Sequence, residues 1–477
     1  MAFVLSTVCF VAIEYYRVRA TSLVSLVPTL MMVFFALEFA FLPLVLKTLD
    51  WQAVVERLNS APVTAIVVCL TGISIFLGGM LLDYFRRGPL GGSFAYRFGF
   101  LEPLSFRHCM AMGGLSLVLW LSTFVAGGLV SKILFPVSVL ILVPFACLAN
   151  SDAFTHSKVG YLYLLSYFVV LVFLSAALNA RGIAAEAVVV AATSWLVGRT
   201  RSTKSLNVLN LLIIVFLGVV AFLFFERFVL AMGVAREVRG AVSMADMVDS
   251  TLRIFIDTDR LAEYRAFGME RAIYGGYSEG YVDSTLLSRF VGIKFLDNFL
   301  FYASQLPDGS ESLLSDERMS GLARLLPGPL ASFIGVNVDK GDIFSVGDYL
   351  YYLYSGIGLG EWKTGSLIGD LWLISGGWFY LPLTVLIVAL LCATVSVFLE
   401  APGVSVSPLL LVLSWKLFGT TAAVGFAGDS IVSLLSFLLR NYWQFLGAYL
   451  IVKYLSRIIV LISNNLQQDA SRRSGVA

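Results

Sequence analysis

Residues 206–225 read LNVLNLLIIVFLGVVAFLFF, and residues 370–398 read DLWLISGGWFYLPLTVLIVALLCATVSVF. Each run is long enough to cross a bilayer as a helix. Residues 226–369 lie between them and carry ten arginines, three lysines and nineteen acidic residues. The two apolar runs and the polar segment between them decide the fold, because they predict a membrane protein with one large loop outside the bilayer.

Apolar runs of similar length recur on both sides of this loop. The chain is 58% hydrophobic and 13% charged, whereas soluble domains are about 25% charged. We therefore predict an all-α polytopic membrane protein with about eleven transmembrane helices, in a range of about ten to twelve. The predicted spans are 2–16, 23–46, 62–82, 111–131, 133–149, 159–179, 183–199, 206–225, 370–398, 406–424 and 437–457.

These spans divide the chain into three predicted parts. Residues 1–225 form an N-terminal transmembrane bundle. Residues 226–369 form a large exterior loop, which is periplasmic if the cell has an outer membrane. Residues 370–477 form C-terminal transmembrane helices and a short cytoplasmic tail.

The distribution of positive charge predicts the orientation, since cytoplasmic loops are enriched in lysine and arginine. One side of the predicted arrangement collects Arg17, Arg19, Arg86, Arg87, Arg97, Arg107, Lys158, Arg199, Arg201, Lys204, Arg457, Arg472 and Arg473. The short loops opposite, with their span edges, hold Lys47, Arg57, Lys132, Arg181 and Arg440. The first side is therefore expected to be cytoplasmic, and alternation places the large loop outside. The first apolar run has arginines behind it and none ahead, which is the reverse of a cleavable signal peptide.

An exterior loop limits the chemistry, because no nucleotide sugar is found outside the cell. A substrate there must arrive already activated, typically on a lipid. The excess of arginine over lysine fits bidentate recognition of phosphate or carboxylate, although arginines also pair with a loop's own carboxylates. The formal net charge of +2 gives no reason to expect nucleic acid as a partner.

Metal or cofactor chemistry is not expected from the cysteines and histidines. The two histidines, His108 and His156, and the five cysteines all lie outside residues 226–369. They form no cluster at metal-ligand spacing. No metal site and no cofactor are predicted.

Helical patterns in the loop predict a folded unit. Ser243 is a plausible N-cap for a helix over Met247–Ile256, and Thr285–Leu306 has apolar residues at helical spacing. Asp342–Tyr354 is rich in tyrosine. Its tyrosines are interpreted as an interfacial aromatic belt, with stacking on sugars as the alternative.

Three stretches in order resemble the Wzy-type polymerases of O-antigen and exopolysaccharide repeat units. They are Ser288-Arg-Phe-Val-Gly-Ile-Lys-Phe-Leu-Asp297, Arg324-Leu-Leu-Pro-Gly-Pro329 followed by Lys340, and Gly365-Ser-Leu-Ile-Gly-Asp-Leu-Trp-Leu-Ile-Ser-Gly-Gly377. Arg265, followed after ten residues by Gly276, is similar to an arginine–glycine spacing of that family. The family often has Glu and Asn where this chain has Asp370 and Ser375.

The resemblance implies a membrane glycosyltransferase that lengthens undecaprenyl-diphosphate-linked oligosaccharides on the exterior face of the bacterial cytoplasmic membrane. The reaction would need no metal, and a flippase and a chain-length regulator would be its protein partners. Guanidinium groups would stabilise the charge that develops on the diphosphate, and a carboxylate would accept the proton of the acceptor hydroxyl. The implied diphosphate-binding residues are Arg289, Arg324, Lys340 and Arg265, and the candidate bases are Asp370 and Glu361.

Three other functions are compatible with the same composition. An O-antigen ligase shares the architecture and the donor, but by resemblance it uses an exterior histidine, whereas His108 and His156 fall on the predicted cytoplasmic side. A flippase for lipid-linked oligosaccharide would more typically have short loops. A non-enzymatic assembly partner is a further alternative.

Glu38 and Lys416 are ionisable residues within apolar spans, where such groups usually face a partner or a cavity. Both spans run outward in the predicted topology. We therefore hypothesise that the two side chains pair or line a cavity beneath the large loop, with independent tilting of each toward the nearer interface as the alternative.

The predicted orientation is testable with cysteine substitutions and a membrane-impermeant thiol reagent. In intact spheroplasts, Ser310→Cys should be labelled and Ser202→Cys should not, because the charge distribution places them on opposite sides. The parent protein controls for its own cysteines. Labelling of Ser202→Cys alone would invert the topology.

Overall fold

The computed structural model of the chain describes residues 25–86, 93–102, 104–126, 130, 134–149, 158–178, 182–201, 208–236, 242–274, 277–326, 332–333, 344–357, 359–360, 363–401, 405–419 and 428–474. Within these residues the structure is helical apart from turns and one two-residue antiparallel ladder. The first predicted span, 2–16, lies outside them.

The first half of the described chain contains nine helices. They are α1, Leu26–Leu49, with a π turn at Leu37–Phe41; α2, Ala61–Arg86; α3, Ser93–Arg97; α4, Phe106–Ala126; α5, Val137–Leu140; α6, Val143–Ala146; α7, Lys158–Leu178; α8, Gly182–Arg201; and α9, Val208–Ala235. A short 3₁₀ turn, Cys147–Ala149, follows α6.

The second half of the described chain contains ten more. They are α10, Met244–Ile256; α11, Thr258–Tyr274; α12, Thr285–Ser288; α13, Gly292–Ser304; α14, Ser310–Arg324; α15, Val346–Ser355; α16, Leu367–Ser375; α17, Tyr380–Leu399; α18, Pro408–Phe418; and α19, which runs as Ile431–Ser436, a π turn at Phe437–Asn441 and Tyr442–Ser474. Strands β1, Glu400–Ala401, and β2, Ser405–Val406, join α17 to α18.

Among the described residues, five helices have the length and hydropathy to cross a membrane. They are Leu26–Leu49, Ala61–Phe85, Val159–Leu178, Tyr380–Leu399 and Ile431–Asn465. Two shorter apolar helices, Gly182–Gly198 and Pro408–Phe418, accompany them. The protein is therefore helical and membrane-embedded.

Three predicted boundaries differ from the structure. Residues 133–149 do not form one span; Pro136 and Pro144 divide them into α5, α6 and the 3₁₀ turn, because proline cannot continue a helical ladder. The predicted 370–398 span is divided into α16 and α17 at Gly376 and Gly377, whose φ angles are 61° and 79°. Helix α9 passes the predicted boundary at Glu226 and ends at Ala235, because Phe228–Ala235 are nearly all buried beneath α10 and α11.

The predicted helices within residues 226–369 agree better with the structure. Ser243 accepts a hydrogen bond from Asp246 N and begins α10, as predicted. The predicted helix over Thr285–Leu306 is two helices, α12 and α13, and the tyrosine-rich segment forms α15. Helix α13 belongs to the main hydrophobic core, which includes Ile293, Leu296 and Leu300. The loop therefore packs into the bundle and is not a separate cap.

Two groups of contacts join helix ends that the predicted alternation places on the same side. On one side, Lys453 Nζ lies 2.6 Å from Glu102 Oε2, and Ser25 Oγ donates to Glu400 Oε2 at 2.7 Å. On the other side, Asn59 N donates to Asp297 Oδ2 at 2.8 Å. Ser310 lies on this second side and is only 8% exposed, so the nearby exposed Ser315 is the better labelling site. Ser202 lies outside the described residues.

The hypothesis that Glu38 pairs with Lys416 is wrong. Lys416 Nζ of α18 lies 2.8 Å from Glu186 Oε1 of α8, and both side chains are 22% exposed. Glu38 is buried in the π turn of α1. Overlapping predicted depth did not determine the partner, because α8 packs against α18 and brings Glu186 to the lysine.

Asp297 lies far from α2 in the sequence, and its carboxylate binds the backbone where that helix begins. Its carboxylate accepts from Asn59 N and Ser60 N, both at 2.8 Å, and from Thr64 Oγ1 at 3.2 Å. Lys294 Nζ lies 3.6 Å away, and burial lowers the pKa of that lysine. The first N–H groups of a helix lack partners within it and carry partial positive charge. Asp297 is fully buried, and it accepts from the two N–H groups immediately before α2, at the positively polarised end of that helix.

We predict that Asp297→Ala destabilises the protein by about 3 kcal/mol or more, because it leaves Lys294 buried without its acid and removes the cap of α2. The measurement is thermal unfolding of detergent-solubilised protein. Asp308→Ala, in an exposed turn, is the matched control. Equal unfolding temperatures for the two variants would contradict the role of Asp297.

Candidate functional site

The extended segment 363–366 is held by carboxylates from three distant parts of the chain. Its successive backbone N–H groups donate to three different acids. The acceptors are Asp348 Oδ1 for Lys363 (2.7 Å), Glu279 Oε1 for Thr364 (2.8 Å) and Asp429 Oδ1 for Gly365 (2.8 Å). The segment is therefore the point where the loop before α12, helix α15 and the start of α19 meet.

Close packing at two glycines explains the small residues of this segment. A methyl group at Gly365 would lie 2.1 Å from Asp429 Oδ1, and one at Gly369 would lie 2.6 Å from Phe299 Cδ1 of α13. Ser366 Oγ accepts from Gly369 N at 3.2 Å and begins α16. Glycine at both positions allows α16 to approach α13 and the loop before α19.

Asp370, a predicted base, has partners within the protein for both carboxylate oxygens. Arg318 Nε donates to Oδ1 at 2.9 Å, and Ile431 N donates to Oδ2 at 3.0 Å. Asp370 is completely buried, and the Arg318 side chain is 14% exposed. In this conformation the carboxylate joins α14, α16 and α19, and it is not placed to take a proton from a substrate. Arg318 was not singled out from the sequence.

Arg289, a predicted diphosphate ligand, adjoins the same segment through Glu279. Its guanidinium lies 2.5 Å from Glu279 Oε2, while the other oxygen of Glu279 accepts from Thr364 N. The Arg289 side chain is 47% exposed, and that of Glu279 is 18% exposed. Arg289 is therefore open to solvent beside the 363–366 segment.

The other predicted ligands are distributed more widely. Arg324 ends α14 and lies 3.0 Å from Glu317, with its Nε buried and lacking a hydrogen-bond partner among the described residues. Arg265 of α11 lies 3.3 Å from Glu226 of α9, in a region with its own hydrophobic cluster. Lys340 and Glu361 lie outside the described residues. Each described arginine of the predicted set is thus paired with an acid of the protein.

Tyrosines pack around Lys363 on the other side of the segment. The Lys363 ammonium lies 4.4 Å from the ring centroid of Tyr351, and Tyr277 stacks on Tyr302 with centroids 5.3 Å apart. Tyr277 OH donates to Thr364 O at 2.5 Å. The tyrosines of α15 therefore contact one another and the 363–366 segment, in a cluster that the interpretation as an interfacial belt did not predict.

Sequence reasoning missed Arg318, Asp429, Glu279 and Lys363 as members of this site. Asp429 is the hardest of the four to recognise from its neighbours in the sequence, because it stands alone before the serine that begins α19. Arg318, Glu279 and Asp429 each bind a residue more than fifty positions away.

No family model, no curated protein and no solved structure matches this chain. In the part of the chain that the structure describes, no group of three or more His, Cys, Asp or Glu side chains is arranged to hold a metal ion. The groups that define the candidate site are its arginines, carboxylates and backbone amides.

Burial raises the pKa of Asp429 from 3.8 to about 6, against the N–H groups of Val346 and Gly365. The folded protein thus holds this proton more tightly than the unfolded chain does. Stability contributed by the protonated form is fully present below pH 3.8 and is lost as pH rises through about 6.

We predict that Asp429→Asn removes this pH dependence, because the amide does not titrate. As pH rises from 3.8 to about 6, the unfolding temperature of wild type should fall relative to that of the variant, by an amount equivalent to roughly 3 kcal/mol. Asp316→Asn, at an exposed position of α14, controls for general charge effects. Parallel profiles for wild type and Asp429→Asn would show that this group does not titrate there.

Proposed function

We propose that the protein is a membrane glycosyltransferase that polymerises undecaprenyl-diphosphate-linked oligosaccharide repeat units on the exterior face of the bacterial cytoplasmic membrane. One observation carries the proposal. Of the three stretches that resemble the Wzy-type polymerases, the third supplies residues 365–370, and Arg289 of the first lies beside them, while α14, which leads into the second, contacts them before that stretch begins. Helix α13 packs on Gly369, Arg289 reaches the segment through Glu279, and α14 reaches it through Arg318.

The diphosphate of the donor is assigned to the half-exposed Arg289. Its planar guanidinium can release the Glu279 oxygen and bind phosphate oxygens through its forked pair of N–H groups. Glu279 would keep its hydrogen bond from Thr364 N during this exchange. The guanidinium would then stabilise the negative charge that grows on the diphosphate as the glycosidic bond breaks.

The same exchange supplies a base. Asp370 is engaged by Arg318 and Ile431 N, so it is not the residue that we assign to this role. Glu279 loses its cation when Arg289 binds the donor, and its 18% exposed carboxylate is then available to accept the acceptor hydroxyl's proton. A single acid thus holds the arginine in the resting site and acts as base in the loaded one.

We predict that Arg289→Gln lowers the polymerisation rate by about 100-fold or more, as removal of a donor to a developing charge does. Arg289→Lys keeps the charge but loses the fork, so its rate should fall between those of Arg289→Gln and wild type. The assay is the ladder of products that purified protein in proteoliposomes makes from an undecaprenyl-diphosphate-linked oligosaccharide, without added metal or nucleotide. Arg253→Gln is the matched control, because Arg253 is 80% exposed and pairs only one turn away with Asp249.

The outcomes separate the proposed function from its alternatives. Lengthened lipid-linked products support polymerisation. Transfer of the glycan to a lipid A core acceptor without lengthening would indicate a ligase, and movement of the unchanged lipid-linked substrate across the bilayer would indicate a flippase. Full activity of Arg289→Gln would remove this arginine from the site.

A further inference from the structure

The turn between α1 and α2 presents apolar side chains away from the protein. Leu49, the last residue of α1, is 70% exposed, and Val55 is 54% exposed. Trp51 between them is 96% exposed. A large indole with almost no protein contact is unusual, even though single exposed apolar residues are common.

The backbone of this turn is in an uncommon conformation. Trp51 has a φ of 55°, in the left-handed region that bulky L residues rarely occupy. Trp51 N donates to Thr48 O at 3.2 Å, and Gln52 N donates to Lys47 O at 2.8 Å. These bonds fix the turn and direct the indole outward. Packing within the protein does not offset the conformational cost of placing a tryptophan at this position.

The base of the turn is clamped by the segment that leads into the candidate site. Tyr281 OH donates to Val54 O at 2.5 Å, and Asp283 lies 2.7 Å from Arg57. Lys294 Nζ donates to Arg57 O at 2.5 Å, and Asp297 accepts from the last two N–H groups before α2. The turn is thus fixed to α13 at several points, and the exposed tip cannot move independently of it.

We infer that Trp51, with Leu49 and Val55, inserts into the interface between lipid headgroups and acyl chains, and that it sets the depth of α13 relative to the bilayer surface. Two helices long and apolar enough to span the membrane lie directly on either side, so the tip stands at the height where the bilayer begins. An indole suits this position because its ring is apolar and its N–H can reach water or a headgroup. The clamp transmits the depth of the tip to α13 and to Arg289, three residues before that helix.

The test is tryptophan emission of wild type and Trp51→Phe in lipid nanodiscs. The difference between their spectra gives the emission of Trp51. The phenylalanine variant keeps the fold because the indole it replaces has almost no protein contact. We expect this emission to be shifted to the blue of a water-exposed indole. We also expect it to lose most of its intensity in phosphatidylcholine brominated near the headgroup end of its chains, and less in lipid brominated near the methyl end.

Trp415 provides the matched control for an indole buried in protein. It is 4% exposed and packs against Phe34 and Phe290. The wild type minus Trp415→Phe difference should also be blue-shifted, yet it should show little quenching by either lipid. A Trp51 emission that is water-like and unquenched would overturn the inference. So would a Trp51→Glu variant that converts an oligomer in nanodiscs or detergent to a monomer, because the tip would then bind a second copy of the chain.

Discussion

Carboxylates that accept backbone N–H groups from distant parts of the chain hold this structure together. Three helices begin on such acids, α1 on Glu400, α15 on Asp429 and α19 on Asp370, and Asp297 accepts from the two N–H groups just before α2. The start of a helix concentrates unpaired donors and partial positive charge, so a buried acid there is satisfied without a lysine or arginine for every carboxylate. Only 13% of the residues of this chain are charged, and helix starts serve as partners for buried acids in addition to lysine and arginine.

This arrangement makes residues 226–369 inseparable from the apolar helices on either side of them. Asp297 lies on α13 of the loop and caps α2, whereas Asp370 and Asp429 flank the membrane helices and hold residues of the loop and of α14. The contacts of each acid thus connect residues 226–369 to the neighbouring membrane helices. Removing residues 226–369 would therefore uncover helix ends in the bundle as well as delete the candidate site. The same coupling holds Glu279 against the 363–366 segment, beside Arg289.

Patterns that act over a few residues could be read from the sequence. The apolar runs of α2 and α7 and the cap of α10 at Ser243 depend on neighbours within one or two turns, and the structure confirms these predictions. The prolines that divide residues 133–149 and the glycine pair after α16 were visible, but hydropathy averaged over a window conceals them. Partners could not be predicted, because Lys416 and Asp429 are matched to residues by packing of whole helices. For the same reason the sequence did not show that Arg289 pairs with Glu279 or that Arg324 pairs with Glu317.

The ion pair between Glu186 and Lys416 bears on how the chain enters the membrane during synthesis. Each helix inserted alone would carry an unpaired charge, which costs free energy in lipid, and α18 has only 11 residues, fewer than the roughly 20 that a span requires. The pair unites residues separated by 230 positions. Helix α8 is therefore synthesised long before its neutralising partner, and it must wait at the translocon or within an incomplete bundle. The final arrangement of α8 and α18 is then a late event of assembly, reached after residues 279–370 of the candidate site have been synthesised but before the start of α19.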